Sequence, residues 1–261
     1  MSNQPLIIGH RGAAAVAPEN TLVSFARALD DGADGIEFDV RLAKNNVPVV
    51  IHDANLRRTG LRDGLVTDLS SLELNETDVG TWFNRRHAAM ARPEYATATV
   101  PTLARVFELM AKRAALLYVE MKCALQESRA LATSVAQLIR DYSLVARVVV
   151  ESFTLEAIAE VKRIAPEIRT AALFEPKLSR PVPSKHALVA EAVRYGADEI
   201  ALHRALATRR AVAEARRHNL NTVVWTVDNP LWMERAVGYG IHALISNNPA
   251  LMCARRAEMD G

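Results

Sequence analysis

The chain has 261 residues, of which 50% are hydrophobic and 24% charged. This balance can bury a substantial core and is not typical of a disordered chain. The 32 basic and 30 acidic residues leave a net charge of +2, and the arginines are scattered in pairs rather than gathered in a stripe. A nucleic-acid-binding surface is therefore not indicated, whereas a basic pocket for a small phosphate is still compatible with the composition.

The N-terminus and the cysteine content favour a cytoplasmic protein. No basic start leads into a long apolar region, and no run of about 18 apolar residues occurs elsewhere to span a bilayer. The cysteines Cys123 and Cys253 form no close metal-type pair and require no oxidising compartment. We therefore expect no stable membrane insertion, and the oligomeric state is left open.

Short β-rich runs alternate with longer amphipathic stretches along most of the chain, which favours a parallel sheet wrapped by helices. Eight strands, each followed by a helix, are the number found in a closed β/α (TIM) barrel, and an open doubly wound sheet is the main alternative. We expect one catalytic domain over residues 1–261. The predicted strands are residues 6–9, 35–40, 117–121, 148–152, 170–174, 199–202, 222–226 and 243–246. The predicted helices are residues 21–31, 103–114, 126–141, 155–165, 185–195, 207–218 and 230–238, with a last short one from 249.

An extra apolar run at residues 47–51 follows the second strand too closely for a parallel crossover, so it should run antiparallel as a hairpin. A two-residue turn at Asn45 and Asn46 would place Asp39 opposite His52. Residues 53–100 then show turn signals but no clear βα unit. We expect this segment to be an insertion over the mouth of the barrel, because long loops in compact domains commonly act as lids or binding loops.

Charged side chains are found where the first three predicted barrel strands end. The first strand ends at His10 and Arg11, at a junction where the catalytic groups of barrels lie. Glu37 and Asp39 are two residues apart on the second strand and therefore point to the same face. A hard divalent cation, Mg²⁺ or Ca²⁺, would offset their charges, because both prefer oxygen ligands. The alternatives are loop contacts for His10 and Arg11, and an ordinary ion pair of the carboxylates with Arg41 or Lys122.

The third strand repeats the pattern with Glu120 and Lys122, after an apolar run that predicts a buried strand. Adjacent strands of a barrel would bring Glu120 next to Glu37. His10 and His52 would then lie at the same rim, where one imidazole can accept a proton while the other donates one.

An ordered set of short motifs makes the sequence resemble the glycerophosphodiester phosphodiesterase family over nearly its whole length. Each motif is weak alone, but the order and the insertion before Pro101 are specific. The motifs are His10-Arg11-Gly12, Pro18-Glu19-Asn20-Thr21, Glu37-Phe38-Asp39-Val40, His52-Asp53, Pro101-Thr102-Leu103, Glu120-Met121-Lys122, Ser152-Phe153 and Val224-Trp225-Thr226-Val227.

The resemblance implies a β/α barrel that converts a glycerophosphodiester to glycerol 3-phosphate and an alcohol. It also implies a role for each site residue. These are metal ligation by Glu37, Asp39 and Glu120, acid and base catalysis by His10 and His52, phosphate contact by Arg11 and Lys122, and contact of Trp225 with the glycerol or head group, unless Trp225 only packs at the rim.

The chain departs from the family pattern at two places. Ser246-Asn247 replaces a Thr-Asp pair and removes a carboxylate that could support the site, and Ala13 and Ala14 replace glycines. These changes concern loop geometry and specificity more than activity. His203 ends a barrel strand and is kept as a further candidate for the pocket.

Two other functions stay open. One is a phosphodiesterase of the same fold acting on lysophospholipids, and the other is a non-catalytic barrel that binds phosphorylated metabolites. For the hydrolase, either the free glycerol hydroxyl attacks phosphorus and forms a cyclic phosphate, or water attacks directly.

Overall fold

A computed structural model describes residues 4–176 and 184–260. Within these residues, eight parallel strands close into a ring, because the first strand of the chain pairs with both the second and the last. The predicted TIM barrel is therefore confirmed, and an open sheet is excluded. The barrel strands are β1 Leu6–His10, β2 Gly35–Leu42, β4 Leu116–Met121, β5 Val148–Ser152, β6 Arg169–Phe174, β7 Glu199–His203, β8 Asn221–Trp225 and β9 Ala243–Ser246.

Helices follow the barrel strands and cover the outside of the ring. Their apolar faces pack on the outward residues of the strands in two large clusters. Among the residues described, the helices around the barrel are α1 Leu22–Asp30, α4 Leu103–Ala111, α5 Ser128–Asp141, α6 Leu155–Ile164, α7 Lys185–Arg194, α8 Arg209–Arg217, α9 Trp232–Tyr239 and α10 Pro249–Asp260.

The lower part of the barrel interior is filled by apolar side chains. Alternate residues of the strands, such as Ile8, Val149, Ala201 and Val223, form one buried cluster together with the ring of Tyr118. Since side chains alternate along a strand, the next inward position toward the carboxyl end of each strand opens into the mouth of the barrel. This alternation fixes which side chains can reach the site.

The predicted antiparallel hairpin is present, but its register differs from the expected one by one residue. The short strand β3, Pro48–Val50, pairs with β2 so that Val40 lies opposite Val50. The amide of Ile51, rather than that of His52, donates to the carbonyl of Asp39 at 2.9 Å. The turn contains three residues, and Asn46 takes the left-handed conformation with φ 59°. His52 is consequently the first residue beyond the pairing, where its side chain is free to enter the mouth.

The insertion forms short helices rather than a βα unit, including α2 Ser71–Asn75 and α3 Thr81–Arg86. It has a small core of its own against the hairpin, and Phe83 and Tyr95 pack on Ala17 of the first loop. The insertion is therefore anchored beside β1 and β2. A position over the mouth stays a prediction.

Within residues 4–176 and 184–260, no helix is long and apolar enough to cross a membrane.

Candidate active site

The carboxyl ends of the barrel strands surround a cavity of about 550 Å³. Its walls combine carboxylates, imidazoles and cations with an aromatic and aliphatic side, a composition suited to a charged substrate with an organic group. The lining residues are His10, Arg11, Glu37, His52, Glu120, Lys122, Glu151, Phe153, Leu173, Glu175, Trp225 and Ile245.

Three carboxylates lie close together at the bottom of this cavity. Glu37, Glu120 and Glu151 each offer an oxygen, and these oxygens lie within 4.8 Å of one another. All three side chains are buried. Two of them, Glu37 and Glu120, were predicted as metal ligands, and the barrel brings them together as expected from their strands. Glu151 on β5 was not predicted.

Asp39, the third predicted ligand, is adjacent to this group but is bound mainly by other side chains. One of its oxygens accepts a 2.8 Å hydrogen bond from Asn20 and lies 3.2 Å from the guanidinium of Arg11, while the other lies 3.3 Å from the ammonium of Lys122. Burial would raise the pKa of Asp39, but the charges of Arg11 and Lys122 outweigh it and hold the pKa well below its usual range. Asp39 is thus ionised and fixes two cations beside the carboxylates.

The remaining carboxylates have raised pKa values. Burial, followed by the charge of Asp39, raises the pKa of Glu120 to about 7, although Lys122 at 2.6 Å opposes the rise. Burial and the neighbouring carboxylates also raise the pKa of Glu37 and of Glu151 well above the ordinary value. These groups repel one another when they are ionised, and a cation between them would remove that cost.

His10 is held by an amide. Its Nδ1–H donates to Oδ1 of Asn247 at 2.7 Å, and Asn247 in turn donates from Nδ2 to Asp228 at 2.8 Å. Asp228 also accepts from the backbone N–H of Asn247, which fixes the carboxylate. A flip of the Asn247 amide would lose both of its side-chain hydrogen bonds. Burial, with the charge of Arg11, lowers the pKa of His10 to about 4. The free Nε2 lies 3.8 Å from Glu37 and is left as the basic nitrogen.

His52 is held by a carboxylate instead. Its Nδ1–H donates to Asp53 at 2.7 Å, and Arg58 of the insertion donates to the other oxygen of Asp53 at 2.6 Å. Arg58 also donates two hydrogen bonds to Glu19, and Glu19 accepts from Arg11 at 2.8 Å. One chain of ion pairs therefore runs from His52 through the insertion to the first loop. Burial lowers the pKa of His52, while the charge of Asp39 opposes the change.

The first loop takes an unusual backbone path that places Arg11. Arg11 has φ 51° and Gly12 has φ 86°, and a Cβ on Gly12 would meet the Oγ of Ser24 at 2.4 Å. In this conformation the backbone N–H of Arg11 donates to Glu37 at 3.0 Å. Only glycine fits position 12, which explains the Arg-Gly pair of the motif.

Lys122 is the second cation of the cavity. Burial would lower the pKa of its ammonium, but the charges of Asp39 and Glu120 outweigh burial and raise it, so Lys122 carries a full charge near neutrality. The carbonyl oxygens of His52 and Lys122 accept from Arg41 at 2.8 and 3.4 Å. Arg41 thus stabilises the backbone at His52 and Lys122 and is not the counter-ion of Glu37 and Asp39.

The aromatic wall consists of Trp225 between Phe153 and His203. The ring of Trp225 meets both neighbours edge-on, with centroid distances of 5.4 and 5.3 Å, and its Nε1–H donates to the carbonyl of Ala201. Trp225 and Phe153 line the cavity. His203 supports the back of the tryptophan, and its Nδ1 accepts from the N–H of Ala205 at 3.2 Å.

Three residues around the site were missed by sequence reasoning. Glu151 follows the run Val148-Val149-Val150, and this single acidic residue has no charged partner two residues away that would indicate a site. Asn247 was expected only to remove a carboxylate, and Asp228 gave no signal, because 19 residues separate it from the amide that it holds.

The fold and the cavity together define a β/α-barrel enzyme with an acidic cluster, two oriented imidazoles and two cations at the carboxyl end of its strands. Comparisons with known proteins refine this class. The model of the glycerophosphoryl diester phosphodiesterase family matches residues 10–251. A glycerophosphodiester phosphodiesterase of Caldanaerobacter subterraneus is 30% identical over 244 residues, which cover 94% of each chain.

Solved structures agree with this match. A glycerophosphodiester phosphodiesterase of Agrobacterium tumefaciens aligns with a TM-score of 0.78 and 28% identity, over 96% of this chain and 99% of that one. A phosphodiesterase of Oleispira antarctica, solved with the product sn-glycerol-3-phosphate, shares the fold with a TM-score of 0.85 over 97% of both chains at 24% identity. The chain belongs to the glycerophosphoryl diester phosphodiesterase family and is an enzyme of this phosphodiesterase class.

Proposed function

We propose that the chain hydrolyses small glycerophosphodiesters to glycerol 3-phosphate and an alcohol, with His10 and His52 as the acid and base. The observation that carries this proposal is the pair of imidazoles on one cavity. Each donates from Nδ1 to a fixed acceptor and keeps Nε2 available for proton transfer. The two histidines accompany carboxylates and cations that can bind a phosphate and a metal.

The acidic side chains fit a divalent cation with oxygen ligands, Mg²⁺ or Ca²⁺. We assign Glu37, Asp39 and Glu120 as its ligands. The fit rests on the donor set and on Oε1 of Glu37, which is buried without a hydrogen-bond partner among the described residues. When bound, the cation would polarise a phosphoryl oxygen and offset the charge that develops on it.

The residues of the chain supply the remaining steps. Arg11 and Lys122 bind the non-bridging phosphate oxygens, and Trp225 packs against the glycerol or the head group. Nε2 of one histidine accepts the proton of the free glycerol hydroxyl as that oxygen attacks phosphorus. The other histidine donates a proton to the departing alcohol oxygen, which leaves a cyclic phosphate. The histidines then exchange roles as water opens the ring to glycerol 3-phosphate.

The test is the release of glycerol 3-phosphate from glycerophosphocholine. A chelator should abolish turnover, and added Mg²⁺ or Ca²⁺ should restore it. His10→Ala and His52→Ala should each lower kcat by roughly 10²- to 10⁴-fold, the usual contribution of a general acid or base. His218→Ala, at an exposed histidine on the outside of the barrel, is the matched control. Binding of glycerophosphodiesters without turnover under any metal would instead favour a non-catalytic barrel.

The order of bond making is tested with substrates that lack the free hydroxyl next to the diester. Their efficient hydrolysis would favour direct attack by water, whereas accumulation of cyclic glycerophosphate in His10→Ala or His52→Ala would favour the two-step route. Lysophosphatidylcholine in the same panel tests the lysophospholipid alternative. The cytoplasmic location stays a prediction from the sequence.

A further inference from the structure

Glu151 is a buried acidic residue of the barrel that has no direct protein partner among the described residues. Its side chain is 1% exposed, and in the described part of the chain no hydrogen bond or ion pair reaches its carboxylate. A carboxylate that leaves water without a partner is costly, so such a residue calls for a partner of another kind.

The strand register places Glu151 beside the predicted ligands. Glu120 pairs laterally with Asp39 on one side and with Glu151 on the other, so three adjacent strands present three carboxylates in one row. Their side chains point inward, and Glu151 lines the same cavity as Glu37 and Glu120. The oxygens of Glu37, Glu120 and Glu151 lie within 4.8 Å of one another, a spacing that one cation can bridge.

The cations of the site are already engaged elsewhere. Lys122 contacts Asp39 and Glu120, and Arg11 contacts Glu19 and Asp39. Neither forms an ion pair with Glu151. Among the residues that the structure describes, the carboxylate therefore faces the other acidic side chains without a direct ion-pair partner.

A second buried glutamate shows the contrast. Glu199 on β7 also points into the barrel, but its carboxylate accepts a 3.0 Å hydrogen bond from the hydroxyl of Tyr118 and lies 3.8 Å from Arg169. Glu199 thus has protein partners for its charge, whereas Glu151 has no hydrogen-bond or ion-pair partner among residues 4–176 and 184–260.

We propose that Glu151 is a further ligand of the divalent cation, which it binds together with Glu37 and Glu120. This inference rests on the proposed function, because it concerns the same metal site. It also assigns the kind of cation. Ca²⁺ accepts six to eight oxygen ligands, whereas Mg²⁺ keeps several waters and takes one or two carboxylates, so an additional glutamate should favour Ca²⁺.

The test measures metal binding without any substrate. Calorimetric titration with CaCl₂ and with MgCl₂ is carried out at pH 8 on the full chain after removal of metals, for the wild type, Glu151→Gln and Glu199→Gln. Glutamine keeps the shape of the side chain and removes its charge. We expect Glu151→Gln to weaken Ca²⁺ binding at least tenfold, and to weaken it more than Mg²⁺ binding. Glu199→Gln should bind both ions within threefold of the wild type.

Folding is checked by circular dichroism, and metal-free Glu151→Gln should unfold at or above the temperature of the metal-free wild type, because a buried carboxyl group next to two other acidic side chains has been removed. Should Glu151→Gln fail to fold, the same titration is made on Glu151→Asp, whose shorter side chain should also lose tenfold in Ca²⁺ affinity. A smaller loss, or an equal loss in Glu199→Gln, overturns the assignment. A wild type that binds Ca²⁺ tightly but hydrolyses no glycerophosphodiester overturns the proposed function and leaves this inference standing.

Discussion

His10 and His52 have the same side chain but different acceptors behind it. The Nδ1–H of His10 meets the neutral amide of Asn247, whereas that of His52 meets the carboxylate of Asp53. A carboxylate stabilises the imidazolium form and a neutral amide does so less. In the proposed mechanism we therefore expect His52 to donate the proton in the first step and His10 to accept one.

The acceptor of His10 can be exchanged for a carboxylate. Asn247 now donates to Asp228 at 2.8 Å, and Asn247→Asp alone would replace this hydrogen bond by two carboxylates that repel each other. The melting temperature should therefore fall, and it should fall more at pH 8 than at pH 5. The double variant Asn247→Asp with Asp228→Asn reverses the hydrogen bond and should recover most of the melting temperature. It should also raise the pKa of His10 and move the acid limb of the pH–activity profile to higher pH. An unchanged acid limb would contradict this view of the histidine.

The carboxylate behind His52 is tested by Asp53→Asn. The imidazole would lose a charged acceptor, and Arg58 would lose one of its two carboxylate partners. We expect kcat to fall roughly 10- to 100-fold with little change in KM, because the orientation and proton affinity of His52 change while Arg11 and Lys122, the proposed phosphate ligands, stay. Asp63→Asn removes an exposed partner of Arg57 in the same segment and should leave kcat unchanged. An equal fall in kcat in both variants would show that a change in the insertion, rather than in the His52 imidazole, lowers the activity.

At the scale of elements, the hairpin of β2 and β3 decides where His52 enters the cavity. Its turn depends on Asn46, which is exposed and has φ 59°. Asparagine and glycine tolerate this conformation, whereas a β-branched residue in it costs about 1–2 kcal/mol. The position of His52, the proposed acid or base, is thus linked to the backbone of a surface turn.

Asn46→Val should lower the free energy of unfolding by about 1–2 kcal/mol, while Asn46→Gly should leave it nearly unchanged. Lys44→Val, at an exposed neighbour in the same turn, is the control for loss of a polar side chain. Urea denaturation in saturating metal measures all three variants. If Asn46→Val and Lys44→Val cost the same, the left-handed turn is not what stabilises the hairpin.

The elements themselves follow from sequence patterns, but their exact pairing does not. Alternation of β-rich and amphipathic runs predicts all eight barrel strands, because each buries a near-continuous apolar run. The hairpin register was wrong by one residue, since both two- and three-residue turns suit Asn45-Asn46 and the choice depends on tertiary contacts. Carboxylates spaced two apart, such as Glu37 and Asp39, could be predicted. The single Glu151 could not, because it has no acidic or basic partner two residues away. The distant Asp228 and Asn247 could not, because only closure of the ring by β1 and β9 brings them to His10.

At the scale of the whole molecule, the acidic side chains buried at the carboxyl end of the barrel lower its stability. Glu37, Glu120 and Glu151 are buried near one another, and each has a raised pKa, because burial and neighbouring charges oppose ionisation. The metal-free native protein therefore holds protons on these groups at pH values where the unfolded chain has released them. Such a difference makes stability depend on pH.

For Glu120 the direction of this dependence can be worked out. Its pKa is about 7 in the native state and 4.5 ordinarily, so between these values the native state binds more protons than the unfolded chain. The contribution of Glu120 to the free energy of unfolding is thus fully present below pH 4.5 and is lost as the pH rises through 7. Glutamine does not titrate. In a chelator, the stability of Glu120→Gln relative to the wild type should therefore increase between pH 5 and pH 8, by up to about 3 kcal/mol.

Urea denaturation of both proteins at several pH values measures this difference. In saturating Ca²⁺ the order at pH 8 should reverse, because the wild type gains the binding free energy of a cation that Glu120→Gln holds less well. An equal change with pH in the free energies of unfolding of the two proteins in the chelator would contradict this. That result would show that Lys122, 2.6 Å away, already keeps Glu120 ionised in the native state. Only Glu37 and Glu151 would then need a bound cation to offset their charges.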